Sequence, residues 1–305
     1  MSINSELIEA IAAELVVDAS LVEKDWYAVR IIAAISMVKH PTMRLVFSGG
    51  TSLAKGYGLI QRFSEDIDFK VAMPTEGLNR GDFREYRERI VEAIREGSED
   101  WSLANDDIQS LNASRFFKCE IAYRHLFQRA SALRPNVRLE VTFDPPALPF
   151  EERPLQSFVA QAQQQEPEVI SIPCVSPVET AADKLSALVW RVATRDRNSP
   201  QDDATLVRHL HDLAALETTI TQSNEFVPLV LKCLIKDASR DKKSGTEALP
   251  AIERLRRMLD GLRNDPLYEA EYERFVLGMS YAADSERPNF QKSLEVAARL
   301  VALLQ

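Results

Sequence analysis

The chain is expected to fold as an α+β protein, with a mixed β-sheet in its first part and helices alone in its second. Two observations predict this class. Segments rich in β-branched and aromatic residues lie before Pro177, whereas the periodic segments after it have helical spacing. The proline-rich stretch 145–177 separates the two patterns. We therefore expect one domain over residues 1–175 and a helical domain over residues 176–305.

The composition is that of a folded protein and excludes several classes. Of 305 residues, 45% are apolar and 27% charged, and 37 Lys and Arg against 46 Asp and Glu give a net charge of −9. An acidic chain does not coat nucleic acid by charge alone, so any such contact must be local. Three cysteines and four histidines show no disulfide or zinc spacing. Without a signal peptide or an apolar span of membrane length, a cytoplasmic location is expected.

The elements of the first part follow from local pattern. Residues 5–39 predict two helices, the second opened by a capping box at Ser20–Glu23 and stopped by Pro41. A buried strand at 45–47 leads into a glycine turn, and a short helix is expected from about Thr51. The remaining elements expected before Pro177 are strands at 67–72, 116–123, 137–143 and 169–172 and a surface helix at 83–96.

The second part shows only the 3.6-residue period. Its six expected helices cover residues 178–194, 203–217, 225–238, 247–263, 267–282 and 291–304.

The segment from Phe47 to Phe69 carries the clearest chemical signal. Side chains of a strand alternate, so Asp66 and Asp68 share one face while Ile67 and Phe69 point into the core. Two carboxylates on one face repel unless a cation lies between them, and carboxylates together with phosphate oxygens are what Mg²⁺ prefers. The pattern therefore favours a divalent-metal site for a triphosphate over a merely solvated strand face.

A phosphate-binding turn is expected just before that strand. Glycines allow close backbone approach, and hydroxyl and N–H groups at a helix N-terminus bind phosphate. The candidate nucleotide-binding residues here are Gly49, Gly50, Thr51, Ser52, Arg62 and Ser64.

A third carboxylate is expected, because a two-metal site needs one beyond the Asp66–Asp68 pair. Glu140 is the acid on the polar face of the alternating segment 137–143. Glu120, in a strand of weaker alternation, is the competing candidate. We favour Glu140.

Four ordered stretches make the resemblance to a known family specific. GGTSL followed by RFSEDID at residues 49–68 is similar to the first motif of the AbiEii/AbiGii toxin family of nucleotidyltransferases, in the polymerase-β-like superfamily. EKDW at 23–26, ADKLSAL at 182–188 and RHLHDL at 208–213 resemble three further family motifs. Asp183 stands where glutamate is commoner in the family, and His209 occupies the first acidic position of the last motif.

The resemblance implies a nucleotidyltransferase-fold domain and a helical lobe, and it adds residues to the candidate site. Lys184 and Asp212 match positions that line the family's active cleft, and Arg191 shares a helix face with Lys184. The acidic loop 196–203 lengthens the spacing between Lys184 and Asp212, but a loop can absorb the insertion. The implied catalytic set is Asp66, Asp68, Glu140, Lys184 and Asp212, with the metal held by the first three.

The function so implied is metal-dependent transfer of a nucleoside monophosphate from an NTP to RNA, with two Mg²⁺ ions or Mn²⁺ and a tRNA 3′ end as the expected acceptor. The biological role implied is the toxin of a toxin–antitoxin or phage-defence pair, with a cognate antitoxin as partner and no membrane. A small-molecule or protein acceptor, a non-catalytic NTP-binding module and a glycosyltransferase D-x-D motif remain alternatives.

Two basic stretches are candidates for the RNA groove. Residues 118–140 hold five cations against two acids, and residues 232–263 hold nine against five. For Arg254 and Arg257 in the second stretch, an ordinary helix surface is an equal alternative.

Overall fold

The fold was obtained as a computed structural model, which describes residues 4–200, 202–238, 240, 245–246, 248–283 and 287–304. The chain divides into two compact units, Met1–Ser176 and Pro177–Gln305. The first contains every strand within these ranges, and the second is helical, so the expected α+β class is confirmed.

The first unit is a sheet with helices. Its helices are α1 (Ser5–Leu15), α2 (Ala19–Ser36), α3 (Gly49–Thr51, continued by a π-turn at Ser52–Gly56), α4 (Arg80–Glu96) and α5 (Phe158–Ala162). Its strands are β1 (Arg44–Ser48), β2 (Asp66–Ala72), β3 (Trp101–Ser102), β4 (Ile108–Leu111), β5 (Phe116–Tyr123), β6 (Val137–Thr142), β7 (Glu151–Leu155) and β8 (Val169–Cys174).

The sheet is mixed, as expected. Its order is β3-β5-β6-β2-β1-β8-β7, with β4 also paired to β5. The β2–β6 and β1–β8 pairs are parallel and the others are antiparallel. β2 and β6 alternate strictly between buried and half-buried residues. The sheet therefore buries one face of its central strands and presents the other as a polar surface.

Three strands escaped the sequence pattern. β3 and β4 are two and four residues long, and β7 has mostly exposed residues, so none shows a buried alternating run. β7 and β8 both lie inside the proline-rich stretch 145–177, so this stretch supplies two strands of the sheet and is not a simple linker.

The expected capping box at Ser20 is wrong. The N-cap of α2 is Asp18, two residues before Ser20, and it accepts a hydrogen bond from the Ser20 backbone N–H at 2.9 Å. Ser20 Oγ instead accepts from the Ala130 N–H at 3.1 Å, so a tertiary contact takes the place of the local one.

The second unit is built around α6 (Pro177–Thr194), whose apolar face is buried. The helices that follow are α7 (Val207–Ala215), α8 (Glu217–Thr221), α9 (Phe226–Asp237), α10 (Ala251–Asn264), α11 (Leu267–Phe275) and α12 (Phe290–Ala302). α6 packs against α7, α9 and α10, and α12 packs against α7 and α10.

Several boundaries differ from the expected ones. The segment 203–217 opens as a 3₁₀ turn before α7, and 267–282 ends its helix at Phe275. Lys242, Lys243 and Glu247, where a basic cluster and the start of a helix were expected, lie outside the described residues. Among the residues that are described, no helix is long and apolar enough to cross a membrane.

Candidate active site

The three candidate carboxylates lie on the polar face of the sheet. Asp68 is in register with Glu140 on the parallel strand β6, and Glu140 is in register with Lys118 on β5. Residues in register on neighbouring strands point to the same face, so Asp68 and Glu140 are direct neighbours. Asp66 lies two residues from Asp68 on the same face.

The register also separates the two glutamates. Asp66 is in register with Arg138, which in turn is in register with Glu120. Arg138 Nε donates to Glu120 Oε1 at 2.7 Å. Glu120 is therefore two strands away from Asp66 and is neutralised by an arginine, which supports Glu140 as the third carboxylate.

Asp66 is held by a cation of the protein itself. Arg134 Nη1 donates to Asp66 Oδ1 at 2.5 Å. Within the described ranges, no three His, Cys, Asp or Glu side chains converge as metal ligands do. The donor chemistry of Asp66, Asp68 and Glu140 fits a hard divalent cation, and a cation at Asp66 would compete with Arg134 for that carboxylate.

The glycine turn is fitted around the carboxylates. Gly49 has φ +74°, and a Cβ built on it would lie 2.0 Å from Asp68 Oδ2. A Cβ on Gly50 would lie 2.8 Å from Ser64 Oγ and 3.2 Å from Arg62 Nη2. The sequence interpretation assigned both glycines to a phosphate; in the structure they first make room for the site's own side chains.

Several expected phosphate ligands are turned inward. Thr51 and Ser52 are buried, and Thr51 Oγ1 donates to the Asp66 carbonyl at 2.5 Å. Arg62 is 2% exposed and its Nη1 donates to the Phe63 carbonyl at 2.9 Å. These side chains fix the turn and the start of β2. Their role toward a nucleotide stays a prediction.

Gly49→Ala is expected to lower activity more than its effect on folding explains. The left-handed conformation alone costs an alanine about 1–2 kcal/mol, and the added methyl group also displaces the Asp68 carboxylate. Gly58→Ala is the matched control, because Gly58 has φ +65° with nothing within 4 Å of its Cβ position. Gly49→Ala should lose more unfolding free energy than Gly58→Ala because of the clash with Asp68, and only Gly49→Ala should lose most of the transfer rate. Equal rates would show that the contact between Gly49 and Asp68 is unimportant.

The three charged residues of the EKD motif form hydrogen bonds and ion pairs with other segments of the first unit. Glu23 Oε1 accepts a hydrogen bond from the Leu126 N–H at 2.7 Å. Lys24 Nζ lies 2.8 Å from Glu65 Oε2 and donates to the Arg134 carbonyl at 2.9 Å. Glu23 and Lys24 thus contact separate segments, and the partners of Asp25 lie on further ones.

Asp25 binds the element that follows the glycine turn. Its Oδ1 lies 2.6 Å from Lys55 Nζ in the π-turn, and its Oδ2 accepts from the Phe158 N–H at 2.9 Å. Lys55 Nζ also lies 3.5 Å from the centre of the Phe158 ring. Burial raises the pKa of Asp25 and lowers that of Lys55, and each opposes the shift of the other.

Glu65, Arg134 and Lys55 are site-supporting residues that the sequence interpretation missed. Glu65 directly precedes Asp66, so the Lys24–Glu65 ion pair fixes the first residue of the Asp66–Asp68 pair. Burial lowers the pKa of Lys24, while Glu65 beside it raises it. The lysine in GGTSLAK and the glutamate in SEDID were visible in the sequence, but their partners lie about 30 to 70 residues away.

In the second unit, Lys184 and Asp212 form a buried ion pair. Lys184 Nζ lies 2.8 Å from Asp212 Oδ2, and the Asp212 side chain is fully buried. His211 Nδ1 lies 3.1 Å from Asp212 Oδ1. The two residues that the resemblance singled out are therefore in direct contact despite the longer loop between them.

The acidic loop folds back onto α6. Arg191 Nη1 forms an ion pair with Asp203, and Arg195 Nε lies 2.8 Å from Asp202 Oδ1. Asp203 also accepts from the Thr205 N–H at 3.1 Å at the start of the next helical turn. Asp203 pairs with Arg191 of α6 and Asp202 with Arg195 just after that helix, so the loop is anchored without separating Lys184 from Asp212.

The expected basic groove at Arg254 and Arg257 is not formed as such. Arg254 is 5% exposed and its Nη1 donates to the Leu234 carbonyl at 3.0 Å. Arg257 is exposed and pairs with Glu253 one turn earlier. Charge reversal at Arg254 would place an acid in the buried core of the second unit, so it would destabilise the fold and would not test an RNA groove.

The other basic stretch is largely used inside the protein. Arg134 pairs with Asp66 and Arg138 with Glu120, while Arg129 Nη1 donates to the Leu133 carbonyl. Of the five cations expected to face an acceptor, three serve the fold.

Comparison with known proteins identifies the family to which the chain is similar. The family model described as "Nucleotidyl transferase AbiEii toxin, Type IV TA system" matches residues 31–296. No curated protein matches the chain. Among solved structures, MenT4, a nucleotidyltransferase toxin from Mycobacterium tuberculosis H37Rv, is similar with a TM-score of 0.55 and 20% identity over 100% of both chains. At that identity the likeness shows the fold alone.

The family model covers nearly the whole chain and includes the Asp66–Asp68 pair, Lys184 and Asp212. The chain therefore belongs to the AbiEii family of type IV toxin–antitoxin systems and is a nucleotidyltransferase.

Proposed function

We propose that the protein transfers a nucleoside monophosphate from an NTP to the 3′-hydroxyl of an RNA, with tRNA as the acceptor, in a reaction that depends on a divalent metal. In this reaction a bond forms between the acceptor oxygen and the α-phosphorus, and the bond to pyrophosphate breaks. The observation that carries the proposal is the register of Asp68 with Glu140 beside Asp66 on one polar sheet face.

Asp66, Asp68 and Glu140 are the residues that would hold two Mg²⁺ ions, or Mn²⁺. When bound, such ions neutralise the triphosphate and make the attacking hydroxyl more acidic. Each carboxylate is half-exposed on the polar face and can meet an ion there, while the alternate residues of both strands are buried in the core. Gly49 and Gly50 keep the backbone close to that face, where main-chain N–H groups of the turn meet phosphate oxygens.

We assign Lys184 to the leaving phosphates. Its ammonium is a compact charge suited to phosphate oxygens, and Asp212 holds it in one position before the nucleotide binds. Arg191, paired with Asp203 at the partly exposed end of the same helix, is the second candidate for the triphosphate. Both roles rest on the family match together with these contacts.

The toxin role places the reaction in the cytoplasm, where RNA and NTPs meet, and requires an antitoxin that limits it. A contribution to phage defence follows from the same logic, because an RNA-modifying toxin released on infection stops growth of the infected cell.

The direct test is incubation of the protein with total bacterial RNA, Mg²⁺ and each labelled NTP in turn. Label in a tRNA-sized band that EDTA abolishes is the expected result. Label in a protein or a small molecule would keep the enzyme and reject the RNA acceptor.

Expression of the protein alone is expected to arrest bacterial growth, and Lys184→Ala should relieve the arrest. Arg257→Gln, which removes an exposed ion pair in the same unit, serves as the control and should leave the arrest intact. Growth arrest that survives Lys184→Ala at equal expression would remove that residue from the reaction.

A further inference from the structure

A cavity of about 680 Å³ in the first unit lies apart from the three carboxylates. It lies between the first half of α4 and the turn that joins β4 to β5. Three arginines line it, together with small polar residues, and none of its lining residues is acidic. The polar residues that matter here are Arg80, Arg84, Arg87, Ser110, Asn112 and Ser114. A carboxylate-free cavity of this kind stands out in a chain with a net charge of −9.

The arginine charges are available to a ligand. Arg80 and Arg87 form no ion pair with any residue that the structure describes, and Arg84 pairs with Glu88 one turn along the helix. Both side chains of that pair are exposed, so replacing Glu88 by a phosphate as the partner of Arg84 costs little free energy. Arg80 and Arg84 are exposed and Arg87 is half-buried, so the cavity presents three arginine side chains whose charges are not committed to buried ion pairs.

α4 fixes the spacing of these arginines. Positions 80, 84 and 87 fall on one face of a helix, with about 5–6 Å between neighbouring Cβ atoms. The side of α4 next to this face carries Phe83 and Tyr86, which are buried against Phe143. Arginines at fixed, regular intervals along a rigid helix match the repeated charges of a phosphodiester strand.

The position of the cavity relates it to the carboxylates. The turn at 112–114 leads directly into β5, which begins at Phe116. Two residues further, or about 7 Å along the strand, is Lys118, the register neighbour of Glu140. Because α4 packs on the apolar face of the sheet, an RNA strand from the cavity would pass around the end of β5 onto the polar face. There it would approach the row of Lys118, Glu140 and Asp68.

We propose that this arginine cavity binds the phosphate backbone of the RNA acceptor. The inference rests on the proposed function, in which the acceptor is RNA, and adds the surface that holds it. Guanidinium groups bind phosphate through paired hydrogen bonds, and the hydroxyl and amide groups of the turn can meet the 2′-hydroxyls of ribose. An acidic segment of a protein offers the same charge but no ribose hydroxyls, so RNA is the favoured occupant.

The experiment measures binding of unfractionated bacterial tRNA to the full chain at several salt concentrations. The test variant is the double substitution Arg80→Gln with Arg87→Gln, which removes two charges without breaking an ion pair. Arg257→Gln is the matched control, because Arg257 is also an exposed arginine on a helix. Thermal denaturation checks that each variant is folded, and KM values for tRNA and for the NTP are measured in parallel.

The double variant is expected to bind tRNA about tenfold more weakly at low salt and to lower the log–log salt slope by about 1.4 to 1.8. Its KM for tRNA should rise while its KM for the NTP and its kcat at saturating tRNA stay those of the parent. Lysines at both positions should restore part of the affinity.

If the wild type labels RNA but the double variant has an unchanged salt slope and an unchanged KM for tRNA, the cavity assignment alone is overturned. Absence of any RNA binding or labelling by the wild type would overturn the proposed function, and the cavity assignment with it. Loss of neutralisation by the antitoxin with unchanged tRNA binding would assign the cavity to a protein instead.

Discussion

Asp68→Asn is expected to lower nucleotide transfer by about a thousandfold or more while the protein stays folded. A bound divalent ion contributes several kcal/mol of transition-state stabilisation, and each 1.36 kcal/mol is about tenfold in rate. Asp68 lies beside Asp66 and in register with Glu140, and asparagine keeps the size of its side chain while removing one charge from this acidic row. The unfolding free energy of the variant should therefore stay close to that of the wild type.

Two glutamine variants complete this test. Glu140→Gln should match Asp68→Asn in lost activity, whereas Glu120→Gln should retain most of it, since Glu120 is paired with Arg138 two strands away from Asp66. Transfer rates over a range of Mg²⁺ concentrations, with thermal denaturation of each protein, are the measurements. Full activity in Asp68→Asn, or equal losses in both glutamine variants, would contradict the proposed carboxylate set.

The sequence predicted the chemical face of the sheet because the information there is local. The alternation in 66–72 and 137–142 specifies which side chains share a face whatever strand lies next to them. The parallel pairing that places Glu140 beside Asp68 is a tertiary fact. Alternation alone favours Glu140 without establishing this pairing, because no local pattern states which strands are neighbours.

The motif EKD shows the reverse situation. Its three residues were visible, but their partners at Glu65, Lys55 and Leu126 lie on other segments. The same limit explains the wrong expectation for Arg254. A cation in a charged helix looks exposed from its neighbours in sequence, and only the fold reveals that it reaches the Leu234 carbonyl inside the second unit.

Lys24→Met is expected to cost about 3–5 kcal/mol of unfolding free energy, because it leaves the charge of Glu65 buried without its main partner. Lys24 and Glu65 side chains are 3% and 2% exposed, so solvent cannot take the place of the lysine. A loss of this size is a large fraction of the about 5–15 kcal/mol that stabilises a typical domain. Glu65 would keep the Arg134 N–H at 2.8 Å and the Arg134 guanidinium at 3.6 Å, which is shared with Asp66. The loss should therefore lie toward the lower end of this range.

A double-mutant cycle separates the ion pair from general damage to α2. Glu65→Leu added to Lys24→Met removes the stranded charge, so the double variant should be more stable than Lys24→Met alone. Arg257→Met, which removes the exposed pair with Glu253, should change stability by less than about 0.5 kcal/mol. Chemical denaturation gives the free energies of unfolding, and transfer rates show whether Asp66 still functions once Glu65 is replaced.

Glu65 and Asp66 are adjacent in the chain. Recovered stability without recovered activity would therefore show that the Lys24–Glu65 pair positions the carboxylates. If the double variant were no more stable than Lys24→Met, the buried pair would not be what holds this end of β2.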